Sequence, residues 1–198
     1  MLRPLACVAL LPVAALAAGR RQPVLPQIDL PHSYYYRELY LPQLTAGPAA
    51  AAWSPDGGSL VYAMQGFLWR QRVDAAVAEQ LTDSDGTDHQ PDWSPDGKRI
   101  VFVRYDGHSM EVMLLDVATG TVTPLTSGGS VNVEPRWSPD GIRLAWVSTA
   151  GTRHFLLHTA EVRDGRLAEI RTLTPDRKSA VPRYYYSAFD HGINPAWT

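Results

Sequence analysis

Short apolar runs recur along this chain at nearly even intervals, and each follows the same polar turn. Leu60-Val61-Tyr62-Ala63, Ile100-Val101-Phe102-Val103 and Leu144-Ala145-Trp146-Val147 come just after Trp53-Ser54-Pro55-Asp56-Gly57, Trp93-Ser94-Pro95-Asp96-Gly97 and Trp137-Ser138-Pro139-Asp140-Gly141. Another copy starts at Pro195-Ala196-Trp197-Thr198. A second marker alternates with the first, at Leu44-Thr45, Leu81-Thr82, Leu125-Thr126 and Leu173-Thr174. Two markers in fixed order over about 40 residues define a repeat architecture.

In Ser-Pro-Asp-Gly, proline presets the first corner angle, aspartate bonds the backbone that follows it, and glycine takes a positive φ. A turn of this kind leading into an alternating apolar run reads as a hairpin into a β-strand. The tryptophan just before the turn offers a large flat ring to a neighbouring sheet. Trp53, Asp56, Gly57, Trp93, Asp96, Gly97, Trp137, Asp140, Gly141 and Trp197 are therefore assigned structural roles.

The units run from Trp53 to Thr82, Trp93 to Thr126 and Trp137 to Thr174. Unit two predicts strands near 89–94, 99–105, 110–117 and 121–126, with Ala118-Thr119-Gly120 turning the third into the fourth. Asp164-Gly165 does the same in unit three as a tight hairpin turn. Unit one has only Val73-Asp74-Ala75-Ala76 there, without glycine. Four antiparallel strands per unit of about 40 residues make a propeller blade.

The fold class is all-β, an incomplete propeller of three four-stranded blades plus the start of a fourth. The one-to-two and three-to-four turns then share one face, and the inter-blade and two-to-three loops share the other. Residues 175–192 read as an insertion on that second, non-turn face. Rings need about 4–8 blades. The segment 34–45 is expected to be the outer strand of a last blade, and the chain to be the N-terminal part of a longer protein. Completion by self-association is the alternative.

At 198 residues and 45% apolar content, the chain can bury a real core. Twenty acidic against eighteen basic residues argue against nucleic acid or an anionic membrane surface as partner. Residues 1–18 read as a secretory signal: Arg3, an apolar run from Leu5 to Leu16, and Ala15-Leu16-Ala17 for cleavage. That run is too short to span a bilayer, so no transmembrane segment is expected in the mature chain, and export to a periplasm or beyond is. Cys7, the only cysteine, lies within it, which leaves the mature chain without thiols. Residues 19–33 are proline-rich and read as a linker.

The stretch Gln90-Pro91-Asp92-Trp93-Ser94-Pro95-Asp96-Gly97-Lys98-Arg99-Ile100-Val101-Phe102 resembles the repeat of TolB-type propellers, and related repeats occur in tricorn and prolyl-oligopeptidase-like proteases. The resemblance covers about residues 34–198. Unit one departs from it with Ala51 in place of Pro91, Pro135 and Pro195, which implies weaker pinning of its first strand. TolB itself is a periplasmic partner of an outer-membrane lipoprotein and of a colicin-import system; other relatives fuse the propeller to a hydrolase. Asp29 through Leu41 is similar to secreted proteins in which a propeller precedes an amidohydrolase.

Gly-x-Ser-x-Gly, His-Glu-x-x-His and phosphate-loop patterns do not occur, and no residue is assigned a catalytic or metal-ligating role. His154 and His158, if on one strand, stand about 13 Å apart, too far to share a metal. The acidic loop Asp83 to His89 has oxygens enough for calcium, with its glycine out of place for a helix-loop-helix site. Some lyases similar to this family hold a transition metal through funnel histidines, a role open to His89, His108 and His191.

Candidate binding residues on the non-turn face are Asp88, His89, Arg104, Tyr105, His108, Asn132, Glu134, Arg183 and Tyr184, with tyrosine runs at 34–36 and 184–186. Tyrosine and arginine are enriched where partners bind. Strand residues stacking between blades would give the same composition. The expected function is an exported, non-catalytic propeller that binds a protein or peptide or gates an attached hydrolase domain. The alternative is the N-terminal part of a secreted amidohydrolase or prolyl-oligopeptidase-like peptidase whose catalytic domain lies beyond residue 198.

Overall fold

A computed structural model describes residues 24–29, 41–42, 47–175, 178–183, 187–189 and 195–197, with the backbone alone described for 178–183 and 187–189. The chain is all-β and forms an open, incomplete propeller. Sheet one holds β1 (Ala49–Trp53), β2 (Ser59–Met64), β3 (Phe67–Arg72) and β4 (Glu79–Gln80). Sheet two holds β5 (Thr87–Trp93), β6 (Arg99–Tyr105), β7 (Met110–Asp116) and β8 (Val122–Pro124). Sheet three holds β9 (Asn132–Trp137), β10 (Arg143–Ser148), β11 (Leu156–Arg163) and β12 (Arg166–Thr172). Each is an antiparallel meander, with strands paired in chain order. The expected insertion contains a hairpin of β13 (Lys178–Arg183) and β14 (Ser187–Phe189).

The repeated turn is built the same way three times. Ser54 Oγ sits 2.6 Å from Asp56 Oδ1 and accepts the Ser59 N–H, while Asp56 Oδ1 accepts the Gly58 N–H. Ser94 with Asp96, and Ser138 with Asp140, repeat the pattern. These bonds hold the Asp56, Asp96 and Asp140 carboxyls below the usual carboxylate range, the serine hydroxyl contributing most. Gly57, Gly97 and Gly141 all take φ near +70°, where a side chain is strained. Successive turns also stack: a Cβ added at Gly141 would stand 3.5 Å from Pro95 Cδ.

The Leu-Thr marker ends each blade by continuing its ladder. The Thr82 hydroxyl accepts the Leu68 N–H, Thr126 that of Val112 and Thr174 that of Leu157. The preceding Leu81, Leu125 and Leu173 N–H groups donate to the carbonyls of the same three residues. A threonine hydroxyl thus takes the place of one more strand carbonyl, which keeps the third strand's N–H groups satisfied where the fourth strand has stopped.

The core lies between sheets. Val61, Ala63 and Leu68 of sheet one pack with Trp93, Ile100, Phe102, Met113 and Leu115 of sheet two. Val101, Val112 and Leu114 of sheet two pack with Trp137, Leu144, Trp146 and Ala160 of sheet three. Trp93 and Trp137 are accordingly 8% and 5% exposed. Trp53 corrects the expectation of burial, being 59% exposed, because no described sheet precedes its own. Trp197, half-buried, donates through Nε1 to the Arg136 carbonyl on the far side of sheet three.

Residues 24–29, within the proline-rich stretch read as linker, are packed: Leu25–Gln27 form a 3-10 turn, and Val24 and Ile28 are fully buried. The expected signal at 1–18 lies outside the described residues. So does the expected strand at 34–45, except for Leu41 and Pro42.

Candidate functional site

The first strands of successive sheets lie against each other, β1 beside β5 and β5 beside β9. Each carries a bulge at a residue of positive φ: Ala50, Gln90 and Glu134. The bulge re-aims two of these side chains toward each other across the blade boundary. Gln90 Nε2 donates to Glu134 Oε1 at 2.6 Å, and Gln90 Oε1 accepts the Glu134 N–H at 2.9 Å. Arg136 Nη2 holds the other Glu134 oxygen at 2.8 Å. Burial pushes the Glu134 carboxyl up, with Arg136 opposing.

Asp88 and Arg104 face each other on β5 and β6 as a bidentate pair, with contacts of 2.7 and 2.8 Å. The Asp88 side chain is wholly buried, and the Asp88 backbone N–H donates to the Gly66 carbonyl in the β2–β3 turn of blade one. His89 is buried, its Nε2 has no hydrogen-bond partner, and burial drives its pKa down to about 4. Asn132 is buried too, donating to the Met110 carbonyl and to Glu111, which also receives the Thr126 hydroxyl and the Gly129 N–H. Glu134 and Asn132 thus tie one blade to the next through their side chains, while Asp88 and Arg104 pair within sheet two.

Tyr105 and His108 flank the β6–β7 loop at the non-turn end, Tyr105 half-buried and His108 exposed. Here sequence reasoning missed the main feature. Val24 and Ile28 fill an apolar groove between blades two and three, lined by Val103, Met110, Val131, Val133 and Val147 and flanked by Tyr105, Phe155 and Leu157. Arg153 clamps the segment from the other side: its carbonyl accepts the Asp29 N–H at 2.9 Å, and its Nη2 meets the Pro26 carbonyl and, at 3.2 Å, Asp29 Oδ1. Arg153 holds φ of 63°, a conformation non-glycine residues rarely keep without support. The only sequence signal was a pair of aliphatic residues among prolines.

Arg183 ends β13 with only its backbone described, and Tyr184 and His191 lie outside the described residues. His154 and His158 do not share a strand: His154 precedes β11 and meets the Asp29 carbonyl, whereas His158 stacks on Trp146 with ring centroids 5.5 Å apart. Gly86, in the acidic loop, sits where a Cβ would come within 2.9 Å of Arg104 Cγ, so close passage over β6 explains it. Among the described residues no three His, Cys, Asp or Glu side chains gather as a metal site, and no helix is long and apolar enough to cross a membrane.

Residues 47–178 match the TolB beta propeller domain. A TolB structure from Agrobacterium tumefaciens superposes with a TM-score of 0.56 at 25% identity, over 66% of this chain and 50% of that one. TolB from Acinetobacter baumannii gives 0.57 at 22% identity, over 65% and 32%. Dipeptidyl-peptidase 5 of Porphyromonas gingivalis is 34% identical over 71 residues, which make up 31% of this chain and 10% of that protein. The matches thus span half or less of each of those proteins.

Proposed function

The chain belongs to the TolB beta propeller domain family, and we propose that it serves as the non-catalytic binding propeller of an exported protein, holding a protein or peptide segment at its non-turn face. One observation carries this reading: that face already grips a peptide, residues 24–29, through two buried aliphatic side chains and the Arg153 clamp. Export rests on the signal-like N-terminus.

A second reading is favoured by the likeness to dipeptidyl-peptidase 5: the same face gates a hydrolase domain of the same protein, whose catalytic residues lie outside these 198. A photo-crosslinking residue at His108, on the non-turn face, and another at Asp56, on the turn face, test both readings in the exported protein in its own cells. Capture of a separate polypeptide from position 108 alone supports the binding propeller. Capture of a downstream domain of the same chain, with peptide hydrolysis co-purifying, supports the gate. Equal capture from both positions, or none from either, overturns both.

A further inference from the structure

The groove between blades two and three is more selective than an apolar patch, because its present occupant enters in one conformation. Leu25–Gln27 make a 3-10 turn, with Gln27 N–H on the Val24 carbonyl at 2.9 Å and Ile28 N–H on that of Leu25 at 3.3 Å. Val24 and Ile28 stand at the two ends of the turn and enter the groove together, both 0% exposed. Pro26 inside the turn presets its backbone and lowers the entropy lost on docking. Asp29 follows at once, where Arg153 reaches it with both side chain and carbonyl.

Resting on the binding reading above, we propose that this groove recognises a peptide of the pattern aliphatic-x-Pro-x-aliphatic-acid in a 3-10 turn, and that residues 24–29 are its built-in competitor. The magnitudes rank the contacts. Burial of two aliphatic side chains dominates. The Arg153–Asp29 pair, with both side chains more than a third exposed, adds little beyond orientation.

The probe is a fluorescein-labelled synthetic peptide, Pro-Val-Leu-Pro-Gln-Ile-Asp-Leu, the sequence of residues 23–30. The whole chain carrying Val24→Asp and Ile28→Asp has lost its own occupant and binds the probe at least about tenfold more tightly than wild type by fluorescence anisotropy. Replacing both aliphatic positions of the probe with alanine abolishes binding; replacing its aspartate with asparagine weakens it about threefold. Equal binding to wild type and vacated chain, or equal binding of a scrambled peptide, overturns the proposal.

A second measurement leaves the aliphatic anchors intact. A solvatochromic dye on Leu25→Cys, in a Cys7→Ser background, shifts to water-like emission when unlabelled probe displaces the segment. Unchanged emission at saturating probe also overturns the proposal. Crosslinking from His108 with no probe binding would retire this specificity and leave the broader binding reading standing.

Discussion

Trp137 takes its place through Asp92: its backbone N–H donates to Asp92 Oδ2 at 2.7 Å, across the boundary between blades two and three. Asp92 immediately precedes the tryptophan of its own blade, so one repeat's first strand sets the start of the next turn. Burial pushes the Asp92 carboxyl up, while the Trp137 N–H and Arg136 oppose that rise. Asp92→Leu leaves the N–H without its partner and should lower stability in urea by about 1–2 kcal/mol. Asp92→Asn keeps an acceptor and removes the buried charge, so it should be near neutral at pH 7.

Asp88 is a wholly buried carboxylate whose charge is matched by Arg104. Arg104→Met removes the match and should cost about 3 kcal/mol, because an unpaired buried charge is left behind. The double variant Asp88→Leu/Arg104→Met should recover most of that loss. Denaturation of the three proteins at pH 7 decides it: a double variant no more stable than the single one contradicts this account.

His89 sets an acid sensitivity. Burial lowers its folded pKa from 6.5 to about 4, so both states are neutral above 6.5. Between those values the unfolded chain binds a proton that the folded chain refuses. Stability is therefore full above pH 6.5 and falls, by up to about 3 kcal/mol, as pH drops toward 4. Asp92 and Glu134, whose pKa values are raised by burial, act in the opposite sense. The check is thus a difference at each pH: His89→Leu should lose less stability than wild type between pH 6.5 and 4.

Thr126 supplies the acceptor for the Val112 N–H just past the end of β8. Thr126→Val keeps the shape and should cost about 1–2 kcal/mol. Hydrogen exchange should quicken at the Val112 amide, with the Leu68 amide, served by Thr82, as internal control. Equal protection at Val112 in both proteins would show that the hydroxyl does not close the ladder.

Trp53 and Ile170 stand exposed on the outer sheets of the open assembly, as do Val77 in the β3–β4 connection and Leu173 just past β12. Apolar surface and strand edges of this kind draw partners. The 198-residue chain by itself should self-associate; a single sharp monomer in light scattering up to about 100 µM counts against this.

Legibility followed the range of the interactions. Strands and turns of unit two were readable to within a few residues, because the Ser94–Asp96–Arg99 hydrogen bonds form within a single turn. Leu-Thr was legible as the end of a blade, but its chemistry was not, since Thr126 meets Val112 only once the hairpin has closed. The binding candidates were picked by their place on the expected non-turn face and by residue type. Asp88, Arg104, Asn132 and Glu134 proved to be tied to partners 2 to 44 residues away, while Tyr105 and His108 stand beside the occupied groove. The groove's occupant was invisible because its contacts reach as far as 127 residues along the chain.

By itself, the order of residues determined the repeat, the three turns and the all-β character, since those depend on hydrogen bonds and side-chain alternation among near neighbours. Only the assembled sheets decided which copies of one motif were buried: among the described residues Trp93 has a sheet in front of it and Trp53 does not. They also decided that a proline-rich stretch would be gripped between two blades. Burial belongs to a pair of surfaces, and a local pattern specifies just one of them.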